Sequence, residues 1–248
     1  MLEVKHLSKI YESNGRKVEA INDLSFRVED KQFIALVGPS GCGKTTFLKI
    51  AAGLLEKTNG EVLLDGKEIS GPGQDRGMVF QNFTLFPWLT VRENIGFGAT
   101  LCEVNREEKN KIVEHYLRTT GLSEFADFYP KDLSGGMQQR AAIGRTLANN
   151  PKVLLMDEPF GSLDTQTRSQ MQEFLTKLWE SDHKTIVFVT HDVNEAIFLA
   201  DKVCVLSKRP TKIKNVYDVP FPRPRAHEIK HTPEFFAFAS KIAKELED

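Results

Sequence analysis

Over the first third of the chain, short apolar runs alternate with turn formers, predicting strands at residues 2–6, 24–28, 33–37 and 61–64. The run FIALV at 33–37 is apolar on both faces, the pattern of a buried central strand. The period then lengthens. In TTFLKIAAGLL (45–55), Phe47, Ala51, Leu54 and Leu55 recur at helical spacing, predicting a helix with all of them on one side. A further strand is expected at 77–81, leading into the aromatic-rich stretch QNFTLFPWLTVRENI. From about residue 91 to 150 the pattern is helical, with 103–117 rich in Glu, Lys and Arg. Beyond it, VLLMD (153–157), TIVFVT (185–190) and KVCVLS (202–207) read as strands with helices between them. Such alternation implies an α/β fold with a mostly parallel sheet covered on both faces. Residues 208–232, rich in Lys, Arg and Pro, read as an irregular surface excursion. The chain ends in a helix with Thr232 as cap and Pro233 in its first turn. Phe235, Phe238, Ile242 and Leu246 form one stripe there, either docked on its own domain or offered to a partner.

Composition narrows the picture. The 248 residues, 40% hydrophobic and 27% charged, suit one large globular domain or two small ones. With 33 basic and 34 acidic side chains the net charge is −1, which argues against a protein held to nucleic acid by a bulk positive field. No apolar run approaches the roughly 18 residues of a membrane span, and the start has no secretion-signal pattern. Cys42, Cys102 and Cys204 are widely spaced, so neither a disulfide framework nor a metal cage is expected, and a reducing cytoplasm fits.

Residues 38–45 read GPSGCGKT, matching G-x-x-x-x-G-K-[ST] between an apolar strand and a helix. Glycines let successive backbone N–H groups point at phosphate oxygens. Gly38, Pro39, Ser40, Gly41, Cys42, Gly43, Lys44, Thr45 and Thr46 are the expected nucleotide contacts. Lys44 serves the β- and γ-phosphates, the Thr45 hydroxyl can take a magnesium position, and the helix directs its positive end at the same anion. Cys42 is expected to contribute backbone; a reactive thiol is the alternative. VLLMDEP places Asp157 at a strand end, able to hold magnesium through water, and Glu158 toward the γ-phosphate as general base. DLSGGMQQRAAIGRTLANNP at 132–151 is a second anion cradle, with Ser134 as cap and the Gly135 and Gly136 amides exposed. One nucleotide does not need two cradles from one chain; a symmetric dimer lets each copy offer its second cradle to the other's nucleotide.

The stretch LSGGM-QQR resembles the LSGGQ signature of ATP-binding cassette (ABC) ATPases, and other family elements follow in register over at least residues 2–207. The resemblance implies a P-loop NTPase of ABC type, with a mostly parallel core sheet, an N-terminal antiparallel β-subdomain and an inserted helical subdomain. Residues 1–86 and 151–207 would form the core with the β-subdomain, 87–150 the signature subdomain, and 208–248 a C-terminal extension. Tyr11 is placed like the aromatic that stacks on adenine, although a tyrosine there also suits the core. Gln81 resembles the glutamine that touches magnesium and the attacking water; Ser162, Leu163 and Asp164 resemble the loop that crosses the dimer interface; His191 resembles the histidine that contacts the γ-phosphate. Met137 stands where the signature usually has Gln, while Ser134 and the glycine amides keep the phosphate contacts.

A chain lacking membrane spans would have to dock on separate permease subunits to drive transport. Phe83, Phe86, Pro87 and Trp88 are the candidate surface, unless they pack inside the helical lobe. GPGQDRGMVFQ and LFPWLTV-x-x-N resemble importer ATPases of the nitrate, sulfonate and taurine group. That resemblance implies ATP and magnesium as cofactors, a homodimer, a solute-binding protein as indirect partner and no nucleic acid. It also implies a peripheral position on the cytoplasmic face of the inner membrane. The competing readings are an ABC-type ATPase acting on DNA or ribosomes, and a module that holds nucleotide without hydrolysing it.

Overall fold

The structure, a computed structural model, describes residues 1–13, 15–100 and 104–247. Chain order runs β1 (Leu2–Ser13), β2 (Arg16–Val28), β3 (Phe33–Val37), α1 (Lys44–Ala51), β4 (Asn59–Leu64), β5 (Lys67–Glu68) and β6 (Arg76–Val79). A helical lobe follows as α2 (Val91–Ala99), α3 (Arg106–Thr119) and α4 (Gly135–Leu147). The remainder is β7 (Val153–Asp157), α5 (Thr165–Asp182), β8 (Thr185–Thr190), α6 (Val193–Leu199), β9 (Lys202–Leu206), β10 (Ile213–Asp218) and α7 (Pro233–Glu247). Cys102, and position 103 at the start of the Glu-, Lys- and Arg-rich stretch, lie outside the described residues.

A four-stranded antiparallel sheet has the order β2-β1-β4-β5, and a six-stranded sheet the order β10-β9-β3-β8-β7-β6. In the larger sheet β9, β3, β8, β7 and β6 run parallel, and β10 is an antiparallel edge. Its apolar strands serve two cores at once, because successive side chains leave a strand on opposite faces. Phe33, Ala35 and Val37 of β3 join Leu154, Phe188 and Val203 against the helices, while Ile34 and Leu36 join Leu155, Val187 and Cys204 against α1 and the antiparallel sheet. Burying each such side chain is worth about 1.5–3 kcal/mol, which explains why these runs carry no polar alternation.

Three expectations need correction. Helix α1 stops at Ala51, so Phe47 and Ala51 are buried, Leu55 is half-buried and Leu54 is 51% exposed. Gly53 ends it at φ 74°, with Leu54 N donating to Lys49 O at 2.8 Å, a left-handed stop that turns Leu54 outward. The early strands are longer than their apolar runs, and β6 ends at Val79, leaving Gln81 in the following loop.

Residues 208–232 are not an irregular surface excursion. Strand β10 lies within them, pairing Tyr217 with Val203 and Val216 with Cys204. Its charged positions face solvent, as an edge strand tolerates. Beyond it, Arg225 is 7% exposed and donates to the carbonyls of Ile197, Phe198 and Ala200, satisfying the C-terminal end of α6. Burial, reinforced by Arg223, pushes its guanidinium down to about 10. Arg223 donates to Asp201 at 2.9 Å and stacks on Trp179, 4.1 Å from the ring centre. Helix α7 closes this strap on the chain's own core: Phe235 and Ile242 are fully buried, and Phe238 and Leu246 pack beside them.

Candidate active site

Between β3 and α1 the loop GPSGCGKT closes over the sheet's carboxyl end. Gly43 has φ 125°, and a Cβ there would lie 2.7 Å from Thr211 Oγ1 and 2.9 Å from the Ala20 carbonyl. The first turn of α1 carries neither a side-chain cap nor an acidic residue, so its N–H groups remain available to an anion. Lys44 is 4% exposed and donates from Nζ to Gly38 O at 2.8 Å and Pro39 O at 3.0 Å. An open cleft of about 350 Å³ results, lined by Ser40, Gly41, Gly43, Lys44, Thr45, Thr46, Gln81 and Glu158. Cys42 is buried, and its N–H donates to Pro39 O at 3.3 Å. The idea of a reactive thiol in an open loop fails on that burial.

Strand β7 delivers the adjacent carboxylates. Thr45 Oγ1 donates to Asp157 Oδ1 at 2.9 Å. Burial pushes the Asp157 carboxyl above its ordinary range, opposed by the Thr45 hydroxyl and assisted by the charge of Glu158. Glu158 has φ 43°, a left-handed turn costing about 1–2 kcal/mol for a residue with a Cβ. Its N–H donates to Val189 O at 2.9 Å, which fixes that turn against β8. The carboxylate is thereby swung sideways, with Oε1 3.7 Å from Lys44 Nζ and Oε2 2.8 Å from His191 Nδ1. A Cβ on Gly161 would meet Gln81 Nε2 at 3.3 Å and Glu158 Oε2 at 3.8 Å, so the amide and the carboxylate converge there. Tyr11, 40% exposed, lies with its hydroxyl 3.3 Å from Thr46 Oγ1 and with Lys9 Nζ 5.1 Å from its ring centre. It is thus a rim residue of the cleft rather than core.

The profile of the ABC transporter family matches residues 21–161. The chain belongs to that family. An uncharacterized ABC transporter ATP-binding protein of Methanocaldococcus jannaschii is 49% identical over 247 residues, 100% of this chain and 91% of its own length. A nitrate import ATP-binding protein of a Synechocystis species is 44% identical, over 99% of this chain and 94% of its own. A taurine import ATP-binding protein of Roseobacter denitrificans is also 44% identical, over 94% and 89%. Among solved structures, a dimeric ATP-binding cassette in a post-hydrolysis state with ADP and phosphate superposes at a TM-score of 0.78. It is 33% identical and covers 90% of this chain and 100% of its own. The fold is therefore the ABC ATPase cassette, and the chain is an ATP-binding ATPase of that family.

Within the cassette the signature stands apart from the phosphate cleft. Ser134 is exposed and caps α4, accepting from Met137 N at 3.3 Å, whereas Gly135 is half-buried and Gly136 is buried under Thr167 rather than exposed as expected. A Cβ on Gly135 would lie 3.2 Å from Leu163 and 3.4 Å from Phe83, so the segments carrying those side chains pack at the start of α4. Ser162 is exposed. Asp164 caps α5, accepting from Thr167 Oγ1 at 2.6 Å and Thr167 N at 3.0 Å, and these bonds hold its carboxyl below its ordinary range. Residues 134–136 and 164 contribute nothing to the cleft lining among the described residues.

Two supporting residues escaped the sequence reading. Thr211, fully buried at the turn before β10, donates from Oγ1 to the Cys42 carbonyl and from N to Ala20 O at 3.0 Å, bracing the phosphate loop from below. Asn94, also fully buried, accepts from Phe86 N at 2.9 Å and donates to the carbonyls of Phe86, Leu89 and Thr90. It was visible in the sequence only as the last letter of LFPWLTV-x-x-N. The turn it pins projects Trp88, 70% exposed, beside Phe86 and Phe97, with Arg145 stacked 5.2 Å from the Phe86 ring centre. Phe83 and Leu85 instead pack on the core.

Proposed function

We propose that this chain powers an importer for a small, anionic solute of the nitrate, sulfonate and taurine kind. Two copies would close on ATP while docked, at the cytoplasmic face of the membrane, on separate permease subunits served by a solute-binding protein. The observation that carries the reading is the aromatic surface at Phe86, Trp88 and Phe97. Phe86 and Trp88 lie on the loop that follows Gln81, in the turn pinned by Asn94, and exposed Phe97 stands beside them on α2, an apolar patch of the kind that marks a partner site. The import relatives support the solute class. No described helix is long and apolar enough to cross a membrane, so a membrane task requires other subunits.

The geometry supports the following division of roles. Loop amides and Lys44 take the β- and γ-phosphates, and Tyr11 offers a ring to the base. Glu158, held by its left-handed backbone and by His191, accepts the proton of the attacking water. Ser134 and the amides of Gly135 and Gly136 from the second copy meet the γ-phosphate from the opposite side, where developing charge needs donors. Thr45, Asp157 and Gln81 each have a side-chain oxygen of the kind magnesium takes, and Thr45 Oγ1 already stands 2.9 Å from Asp157 Oδ1. No group of three or more His, Cys, Asp or Glu forms a metal cage among the described residues, so phosphates and water would complete its shell. Magnesium, when bound, neutralises charge on the phosphate oxygens.

Co-purification with coexpressed permease subunits tests the reading. Trp88→Ala and Phe86→Ala should weaken association at least about tenfold while basal hydrolysis stays within about twofold. Parallel loss of both activities would return these aromatics to a core role, and salt-resistant binding to DNA instead of permease would contradict transport.

A further inference from the structure

Behind His191 a polar chain runs inward from the active site to the C-terminal segment. Thr190 Oγ1 donates to Glu195 Oε2 at 2.6 Å and accepts from Asp192 N at 3.0 Å, so one hydroxyl clamps the backbone on both sides of the imidazole. Asp192 Oδ1 caps α6 by accepting from Asn194 N and Glu195 N. Glu195, 5% exposed, accepts at Oε1 from Gln172 Nε2 of α5 at 3.0 Å. Gln172, itself buried, accepts at Oε1 from Lys230 Nζ, and that ammonium lies 4.1 Å from the ring centre of Phe198. A cavity of about 10 Å³, room for roughly one water, lies between this chain and the active site, bounded by Glu158, Arg168, Thr190, His191 and Glu195.

A satisfied buried network has few alternative arrangements, because breaking one link leaves the next group unpaired in a low dielectric. Lys230 sits between the arginine strap under α6 and helix α7, so its position depends on the C-terminal segment being seated. We propose that Glu195, Gln172 and Lys230 are positioning residues for hydrolysis: they hold His191 against Glu158 and make turnover conditional on the docked C-terminal segment. This rests on the roles given above to His191 and Glu158. None of the relay residues lines the phosphate cleft, so ATP binding should be spared.

The test compares steady-state kinetics of the full chain. Lys230→Met and Glu195→Gln should each lower kcat about tenfold, the cost of misplacing a catalytic group, with KM for ATP within about twofold. Lys230→Arg, which keeps a donor toward Gln172, should retain most of the rate. Lys177→Met, at an exposed position on the same helix as Gln172, should change neither constant. The His191 ring resonance in NMR spectra, assigned with His191→Ala, should move in Lys230→Met and stay in Lys177→Met. Full turnover by His191→Ala would overturn the reading of the site on which the relay depends. An inactive His191→Ala beside Lys230→Met and Glu195→Gln variants with wild-type kcat and an unmoved resonance would overturn the relay alone.

Discussion

Asp157 and Glu158 are neighbours in the chain that the backbone sends into different surroundings. Asp157 continues the extended strand and stays buried beside the Thr45 hydroxyl, whereas Glu158 turns at φ 43° and reaches Lys44 and His191. In the proposed reaction it is environment, not residue type, that assigns one a metal-binding role and the other a proton-accepting one. Lys230 shows the same control from the cationic side. Burial pushes its ammonium from 10.5 down to about 8. Below pH 8 folded and unfolded chains are both protonated there, and the burial cost is fully present. Between about 8 and 10.5 the unfolded chain binds the additional proton, so folding stability rises with pH. Urea unfolding of wild type and Lys230→Met between about pH 7 and 9.5 should therefore show the wild type gaining on the variant at the alkaline end. A constant difference across that range would contradict the shift. The convergence of Lys44, Thr45, Asp157 and Glu158 was legible in the sequence because each stands beside a strand end within a short contiguous motif. Lys230 and Glu195 were not, because each finds its partner through a fold that brings α5, α6 and the C-terminal segment together.

At the scale of elements, periodicity located the buried strands well: β3, β7 and β8 have the expected bounds, since strands covered on both faces admit only apolar residues. It failed at the edge. Strand β10 (IKNVYD) shows no clean alternation and buries only Tyr217 within a Lys-, Arg- and Pro-rich stretch, so composition there reflects the solvent face. That failure also concealed Thr211, whose bond to the Cys42 carbonyl joins the β9–β10 hairpin to the phosphate loop. Thr211→Val keeps the shape and removes the donor, so it should raise KM for ATP about tenfold with little loss of thermal stability, and Thr211→Ser should restore it. Unchanged nucleotide affinity in Thr211→Val would reduce Thr211 to packing. The C-terminal stripe resolved toward its own domain because Phe235 and Ile242 meet the same core as α6, leaving Phe236 exposed.

On the proposed reading the whole molecule carries half a site in each of two places. The cleft around Lys44 is open, and exposed Ser134 with its neighbouring amides heads a helix elsewhere on the same chain. In the proposed function the site is completed when a second copy turns its signature toward the first copy's phosphates. Sedimentation velocity of Glu158→Gln, which should bind ATP and fail to hydrolyse it, tests that claim most directly. The account predicts a species of twice the chain's mass in ATP, absent in ADP and abolished by Ser134→Arg while ATP binding persists. A Glu158→Gln chain that holds ATP yet sediments as a single copy at every concentration would contradict it.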